Sequence, residues 1–235
     1  MMQTVSTLQV DKSRIHIDRL EGLRYVGYRR GTAYDENLEK RADEIAGKVE
    51  NCMVPRVCYL EAPVWKKDDE TIDFGYFTLK SKSLIKNLEG CCKAYLFAAT
   101  LGPMVDREIA RAMQKSSVDS LLFDAMGSAG IEAVCNEACA KFAEWEPDKK
   151  LHPRFSPGYG GLSIESQRLF VQVLDTNRKI GLTLTEGLMM TPVKSVTAIA
   201  GVGEKTDVAP EGGQTPCQLC GKTDCLFRQT KGEEA

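Results

Sequence analysis

Hydrophobic positions follow helical spacing in two stretches of the chain, and a third, longer stretch is also predicted to be helical. In residues 36–51 they recur every three or four positions: Leu38, Ala42, Ile45, Ala46 and Val49. Pro103 is suited to the first turn of a second helix that runs to residue 112, because its missing N–H would be unsatisfied there anyway. A third helix is predicted over 117–145, with many small residues in its middle. The pattern predicts three amphipathic or buried helices.

Other apolar stretches lack helical spacing and predict strands. Residues 56–61 and 71–79 are rich in β-branched and aromatic residues, and residues 14–19 show a short alternating pattern. The nearly continuous apolar run at 92–102 predicts a strand that is buried on both faces. Ser81 or Ser83 is expected to cap a short helix that Gly90 ends.

Three other stretches of the chain are less regular. Residues 1–13 are polar and are expected to fray, and residues 146–153 are expected to form a loop. Residues 180–203 are apolar and β-branched but contain Gly181, Gly187 and Pro192. Such interruptions predict short strands and turns at a sheet edge or under a lid.

The mixture of helices and strands predicts an α+β fold, with a mixed or antiparallel twisted sheet and flanking helices. We expect one main domain over residues 1–202. Residues 203–216 are rich in Gly, Pro and charge and predict a linker, and a short cysteine-containing tail occupies 217–235.

Composition excludes several classes of function. The net charge of −2 gives no reason to expect nucleic acid or a membrane surface as partner, and no run of about 18 apolar residues is present. We therefore expect a cytoplasmic protein. Neither of the two histidines stands in a Ser–His or Cys–His context, and no phosphate-binding loop motif occurs, so hydrolytic and nucleotide-loop chemistry are not expected.

The stretch Arg154–Tyr159, RFSPGY, cannot be a helix or a regular strand. Pro157 fixes its own backbone and extends the residue before it, and the glycines at 158, 160 and 161 can adopt positive φ. A helical period follows, so the turn is expected to lead into a helix N-terminus, which suits anionic groups. The alternative is a surface turn with a solvated Arg154. Glu132 lies among small residues of the long helix, where a carboxylate requires a partner.

Three of the nine cysteines crowd the C-terminal tail as C-x2-C-x4-C: Cys217, Cys220 and Cys225. A C-x2-C turn places two thiolates on the same side of a tight turn, and thiolates at this spacing bind zinc or an iron–sulfur cluster. Three ligands are one short of a closed tetrahedral site, so the fourth is expected from Asp224, another thiol, a second subunit or an exogenous ligand. The alternative is a tail of free thiols.

The turn and the sequence after it resemble a known family. The motif R-x-x-P-G-Y at 154–159 is followed by I-G-x-x-L-T-E-x-x-M-M-x-P-x-x-S-V at 180–196. Together they resemble the activation domain of cobalamin-dependent methionine synthase. The resemblance implies that domain's fold and S-adenosylmethionine as ligand. It also implies cobalamin on a partner corrinoid protein or methionine synthase module, and a reductase that supplies an electron for remethylation of the corrinoid.

The resemblance also implies site residues. Arg154 would hold the carboxylate of the methionine moiety, and Glu132 would lie near its amino or ribose groups. The full set of implied cofactor-binding residues is Glu132, Arg154, Pro157, Gly158, Tyr159 and Glu186.

The chain departs from the family pattern after Tyr159, where it reads GGLSIESQR, and at residues 197–203, where no Tyr is present. Three functions follow as hypotheses. The first is a stand-alone activation subunit that supports reductive remethylation with S-adenosylmethionine. The second is a non-catalytic module that binds a corrinoid protein. The third is a metal or iron–sulfur redox partner that acts through Cys217, Cys220 and Cys225.

Overall fold

The structure is a computed structural model that describes residues 4–28 and 35–204. The strands in these residues are β1 (Ser6–Leu8), β2 (Arg56–Pro63), β3 (Trp65–Lys66), β4 (Thr71–Asp73), β5 (Thr78–Lys80), β6 (Cys91–Thr100), β7 (Lys149–Leu151), β8 (Thr183–Leu184), β9 (Met190–Thr191) and β10 (Ser195–Glu204). The α-helices are α1 (Arg19–Tyr25), α2 (Glu36–Cys52), α3 (Lys82–Asn87), α4 (Pro103–Met113), α5 (Ser117–Trp145), α6 (Gln167–Val173) and α7 (Thr176–Ile180).

The main sheet has five strands in the order β1-β2-β6-β10-β7, and every neighbouring pair is antiparallel. Strand β10 lies against β6 from Ser195, opposite Thr100, to Gly203, opposite Cys91. Two small antiparallel sheets, β3-β4-β5 and β8-β9, complete the described strands. The prediction of an α+β fold with an antiparallel sheet and flanking helices is confirmed.

Helices cover both faces of the main sheet. Because side chains alternate along a strand, Tyr95 and Phe97 of β6 face a core formed with α1, α2, α4 and α5. Leu96 and Ala98 face a second core, formed with α3, α6 and α7. The prediction that β6 is buried on both faces is therefore confirmed.

The strongly patterned elements follow the sequence prediction. Helix α5 spans the predicted 117–145, α2 spans the predicted 36–51 with one more residue, and α4 begins at Pro103. Ser81 caps α3, because its Oγ accepts a hydrogen bond from the Leu84 N–H at 3.0 Å. The small residues of α5 serve close packing: a Cβ at Gly130 would lie 3.2 Å from Ile17 and from Leu101.

Strand β10 is the main correction. Residues 195–204 form one long buried strand in the middle of the sheet, rather than short pieces at its edge. A Cβ at Gly201 would lie 2.5 Å from Leu88 and 2.7 Å from the Cys91 sulfur. The glycine is therefore there to admit close neighbours, not to make a turn.

Shorter elements also differ from expectation. Residues 14–19 form no strand; Asp18 instead caps α1, which the pattern did not predict. The predicted strand 71–79 is a hairpin, β4 and β5, that turns at Gly75 with φ +79. Strands β1 and β7 lie where frayed chain and loop were expected, and Asp175 at φ 46 divides the predicted helix into α6 and α7. Strands β1 and β7 depend on pairing with the distant strands β2 and β10, which local pattern does not encode.

Candidate ligand-binding site

The position of Arg154 follows from how its segment joins the sheet. Strand β7 pairs with the end of β10, and the His152 N–H then donates to the Gly201 carbonyl at 2.8 Å. Phe155 and Ile199 exchange two backbone hydrogen bonds, of 2.9 and 2.8 Å. Phe155 packs into the core on the α6 side. Because successive side chains point to opposite faces, Arg154 is directed to the α5 side of the sheet.

Arg154 meets two residues of α5 that lie one turn apart. One terminal nitrogen donates to Oε2 of Glu132 at 2.6 Å, and the other donates to Oδ1 of Asn136 at 2.7 Å. The structure therefore brings together Arg154 and Glu132, two of the predicted site residues. Asn136 was not predicted; it lies on the same face of α5 as Glu132, and helical spacing alone could have indicated it.

Two cysteines of α5 lie beside the same guanidinium. Burial raises the pKa of Cys135 and of Cys139, so both are thiols at neutral pH. Burial disfavours the charge on Arg154, but its neighbours Cys135 and Glu132 outweigh that effect and raise the pKa of Arg154. Because the thiols are neutral, Glu132 supplies the negative charge that compensates Arg154.

Tyr25, at the end of α1, belongs to the same neighbourhood. Burial, then the charge of Glu132, raises the pKa of Tyr25 to about 12, and Glu21 and Tyr159 add to the effect. Its side chain is 37% exposed. Tyr25 was not among the predicted site residues; the Tyr- and Arg-rich stretch LRYVGYRRG was the available signal.

The turn after Arg154 has the predicted backbone, with φ +89 at Gly158. The Gly158 N–H donates to the Leu162 carbonyl at 2.9 Å, and the Tyr159 N–H donates to the Ser156 carbonyl at 3.3 Å. The Ser81 hydroxyl ties the turn to α3 by donating to the Gly160 carbonyl at 2.8 Å. The turn is therefore held by its own backbone and by Ser81 at the start of α3.

The amides of Gly158 and Tyr159 are used inside the turn and are not free to bind a ligand. Tyr159 is 72% exposed, whereas Pro157 is buried beneath the turn. The helix that follows begins as a single 3-10 turn at Ile164–Ser166, and α6 has only seven residues. The turn therefore leads into a helical segment, as predicted, but this segment is short and begins as a 3-10 turn.

Glu186 lies apart from this pair in the connection between β8 and β9. Its carbonyl oxygen accepts a hydrogen bond from Arg168 at 2.9 Å, and its carboxylate is exposed and joins no ion pair within residues 4–28 and 35–204. The structure does not bring Glu186 into contact with Arg154 or Glu132.

Comparison with solved structures identifies the fold. The chain is similar to a crystal structure described as the MetH reactivation domain bound to AdoHcy, with a TM-score of 0.68 over 88% of this chain and 81% of that one. The sequence identity is 16%. The chain has the fold of the methionine synthase reactivation domain. No family model matches the sequence, and no curated protein matches it either.

The fold implied by the two sequence motifs is therefore confirmed at the level of structure. The cofactor-binding roles of Glu132, Arg154, Pro157, Gly158, Tyr159 and Glu186 stay predictions.

The predicted metal ligands Cys217, Cys220 and Cys225 lie outside the described residues, as does nearly all of the predicted linker at 203–216. Within residues 4–28 and 35–204, no group of three or more His, Cys, Asp or Glu side chains could hold a metal ion. The helices in the same ranges include none that is both long and apolar enough to cross a membrane.

Proposed function

We propose that this chain is a reactivation subunit for a cobalamin-dependent methyltransferase of the methionine synthase type, and that it binds S-adenosylmethionine at Arg154 and Glu132. The observation that carries the proposal is the 2.6 Å contact between these two side chains on the fold of a reactivation domain. The neighbouring structure is described as bound to AdoHcy, which shares its amino-acid end with S-adenosylmethionine.

The residues present fit an amino-acid ligand. A free α-amino acid carries a carboxylate and an ammonium on one carbon. Its site therefore needs a guanidinium that donates to the carboxylate, next to a carboxylate that accepts from the ammonium. Arg154 has five N–H donors in a fixed plane, of which Glu132 and Asn136 engage two. Glu132 is 40% exposed and can accept from an ammonium while it remains beside Arg154.

In the proposed reaction S-adenosylmethionine supplies an electrophilic methyl group. The chain's own residues orient the ligand: Arg154 fixes the carboxylate, Glu132 fixes the ammonium, and the Phe155–Ile199 bridge holds Arg154 in place against the sheet. Tyr159 offers an exposed aromatic surface at the rim. The corrinoid belongs to a partner protein and the electron comes from a reductase.

Calorimetric titration of the full chain with S-adenosylmethionine tests ligand binding. We expect saturable binding that weakens about tenfold or more in Glu132→Gln, because the amide cannot neutralise an ammonium. Asp124→Asn, on the same helix, serves as the matched control and should bind like the wild type. Absence of binding to the wild-type chain would refute the ligand assignment.

The partner is tested separately, with a purified corrinoid methyltransferase loaded with cob(II)alamin. Addition of the chain should change the visible spectrum of the corrinoid, and S-adenosylmethionine with a reductant should then restore methylcobalamin. An unchanged spectrum at saturating protein concentration would exclude the role of reactivation subunit.

The second candidate is a non-catalytic module that binds a corrinoid protein. This candidate is favoured because both terminal nitrogens of Arg154 already donate hydrogen bonds to residues of α5. In that case the Arg154–Glu132 pair only fastens β7 to α5. The two candidates differ in one result: a module would change the corrinoid spectrum equally in the wild type and in Arg154→Ala, without any effect of S-adenosylmethionine.

A further inference from the structure

Asn136 lies one helical turn after Glu132 on α5 and is the second partner of Arg154. Nη1 of Arg154 donates to Oδ1 of Asn136 at 2.7 Å, and Nη2 donates to Oε2 of Glu132 at 2.6 Å. The two contacts differ in charge. Glu132 compensates the positive charge of Arg154, whereas the neutral amide of Asn136 accepts one N–H and adds no negative charge. Arg154 is therefore not enclosed between two carboxylates and can still attract the carboxylate of a ligand.

The amide of Asn136 has a defined orientation. A guanidinium has N–H donors and no acceptor, so the amide oxygen must face Arg154 and the amide nitrogen must lie on the other branch of the group. Asn136 is exposed, and Nδ2 donates to no other residue in the part of the chain that the structure describes. Two N–H donors are therefore open to a ligand beside the Arg154–Glu132 pair.

The neighbours of Arg154 determine the side from which a ligand approaches. The thiol of Cys139 contacts the guanidinium, and the buried Cys135 lies beside it. A charged ligand therefore approaches from the side on which Glu132 and Asn136 are exposed. Along this side an acceptor and a pair of donors are separated by about 6 Å of helix axis, with the guanidinium between them. That order matches the ammonium and the carboxylate of an amino acid.

We propose that Asn136 is a specificity-determining residue of this site, and that its Nδ2 donates to the ligand carboxylate that Arg154 also binds. The inference rests on the proposed function, in which the ligand is S-adenosylmethionine. It adds a selectivity to that function. A ligand that keeps the sulfonium and the ammonium but lacks the carboxylate loses the contact with Asn136 as well as the contact with Arg154.

Calorimetric titration of the full chain with two ligands tests this selectivity. Wild-type protein should bind S-adenosylmethionine more tightly than decarboxylated S-adenosylmethionine. Asn136→Ala should bind S-adenosylmethionine about tenfold more weakly, because a hydrogen bond to a charged group is lost. Its affinity for the decarboxylated ligand should stay within about twofold of the wild-type value, so the preference between the two ligands falls. Asn177→Ala, at an exposed asparagine of α7, is the matched control and should keep the wild-type preference.

NMR of the side-chain amides separates a direct contact from a positioning role. The signals of Asn136 are those that disappear in Asn136→Ala, a variant that suits an exposed helical position. Saturation with S-adenosylmethionine should move one amide proton of Asn136 downfield, because the N–H then donates to a carboxylate. Saturation with the decarboxylated ligand should leave it in place. A residue that only positioned Arg154 would respond to both ligands equally.

Two results would overturn the inference and leave the proposed function standing. They are an Asn136→Ala variant that keeps the wild-type preference, and an Asn136 amide signal that responds equally to the two ligands. A wild-type chain that binds both ligands with equal affinity would remove the carboxylate contact itself, and with it the role of Asn136. A wild-type chain that binds neither ligand would refute the proposed ligand and the inference together.

Discussion

Two ion pairs connect the Arg154–Ser195 segment to helix α5, and they are built differently. Lys194 donates to Asp124 at 2.8 Å and to Ser128 at 2.9 Å, and its side chain is only 8% exposed. Arg154 donates to Glu132 at 2.6 Å, but its side chain is 22% exposed and that of Glu132 is 40% exposed.

We propose that this difference separates a structural pair from one that a ligand can enter. The methylene groups of Lys194 lie against Gly127, where an added Cβ would come within 3.1 Å of Cε, so its ammonium is enclosed and already has two partners. Arg154 keeps unused donors and is more exposed than Lys194, whereas both partner carboxylates, Glu132 at 40% and Asp124 at 53%, face solvent. From the exposure of the arginine, more than from charge, we therefore propose that the Arg154 pair is the functional one.

The largest predicted effect is on ligand affinity in Arg154→Ala. Removal of one partner of a hydrogen-bonded charge pair costs about 2–5 kcal/mol in binding, so S-adenosylmethionine should bind about 30-fold more weakly or worse. Calorimetric titration measures the change. Arg178→Ala, which removes an 84% exposed arginine on α7, is the matched control and should bind normally. Equal affinity of Arg154→Ala and the control would mean that Arg154 has only a structural role.

The second prediction concerns stability at Lys194. Lys194→Ala should lower the free energy of unfolding by about 2 kcal/mol, because it removes buried methylenes and two hydrogen bonds. The loss should stay below the cost of a stranded buried charge, since the carboxylate of Asp124 is 53% exposed and can be hydrated.

Denaturant unfolding of Lys194→Ala and Lys194→Met separates the two contributions, because Met retains the apolar contact with Gly127. Arg154→Ala should cost less stability than Lys194→Ala. The comparison between the pairs fails if that order is reversed, or if Lys194→Met weakens S-adenosylmethionine binding as strongly as Arg154→Ala.

Part of the fold could be predicted from the sequence and part could not. Helix α2 could be predicted from its helical period, and helix α5 and strand β6 from their long runs of small or apolar residues. Strand β10 was misassigned because the interruptions at Gly181, Gly187 and Pro192 were taken to divide the whole stretch 180–203. The glycines at 201 and 203 lie inside the strand and are required by neighbours that come from β6 and from residue 152. Such a reason is tertiary and leaves no local trace.

The candidate site was predictable in part. Arg154 and Glu132 could be selected by motif, by resemblance and by the cost of an unpaired carboxylate. Their direct contact could not, because it depends on the alignment of residues 149–155 with β10. Tyr25 was missed because it ends a seven-residue helix, α1, that is too short for periodicity to show.

The smallest predicted effect is on Tyr25, and it tests whether Glu132 is available to a ligand. Burial is the first cause of the raised pKa of Tyr25, about 12, and the carboxylate of Glu132 is the second. A negative neighbour disfavours the phenolate, so Glu132→Gln should lower this pKa, while burial keeps it above the usual value of about 10.

Saturation with S-adenosylmethionine should also lower the pKa of Tyr25, because a cation beside Glu132 offsets its charge. The difference in phenolate absorbance between each protein and its Tyr25→Phe counterpart gives the value, and Asp124→Asn should leave it unchanged. If Glu132→Gln lowers the pKa but the ligand does not, the ligand's cation lies elsewhere, and the Arg154 pair resembles the Lys194 pair more than its exposure indicates.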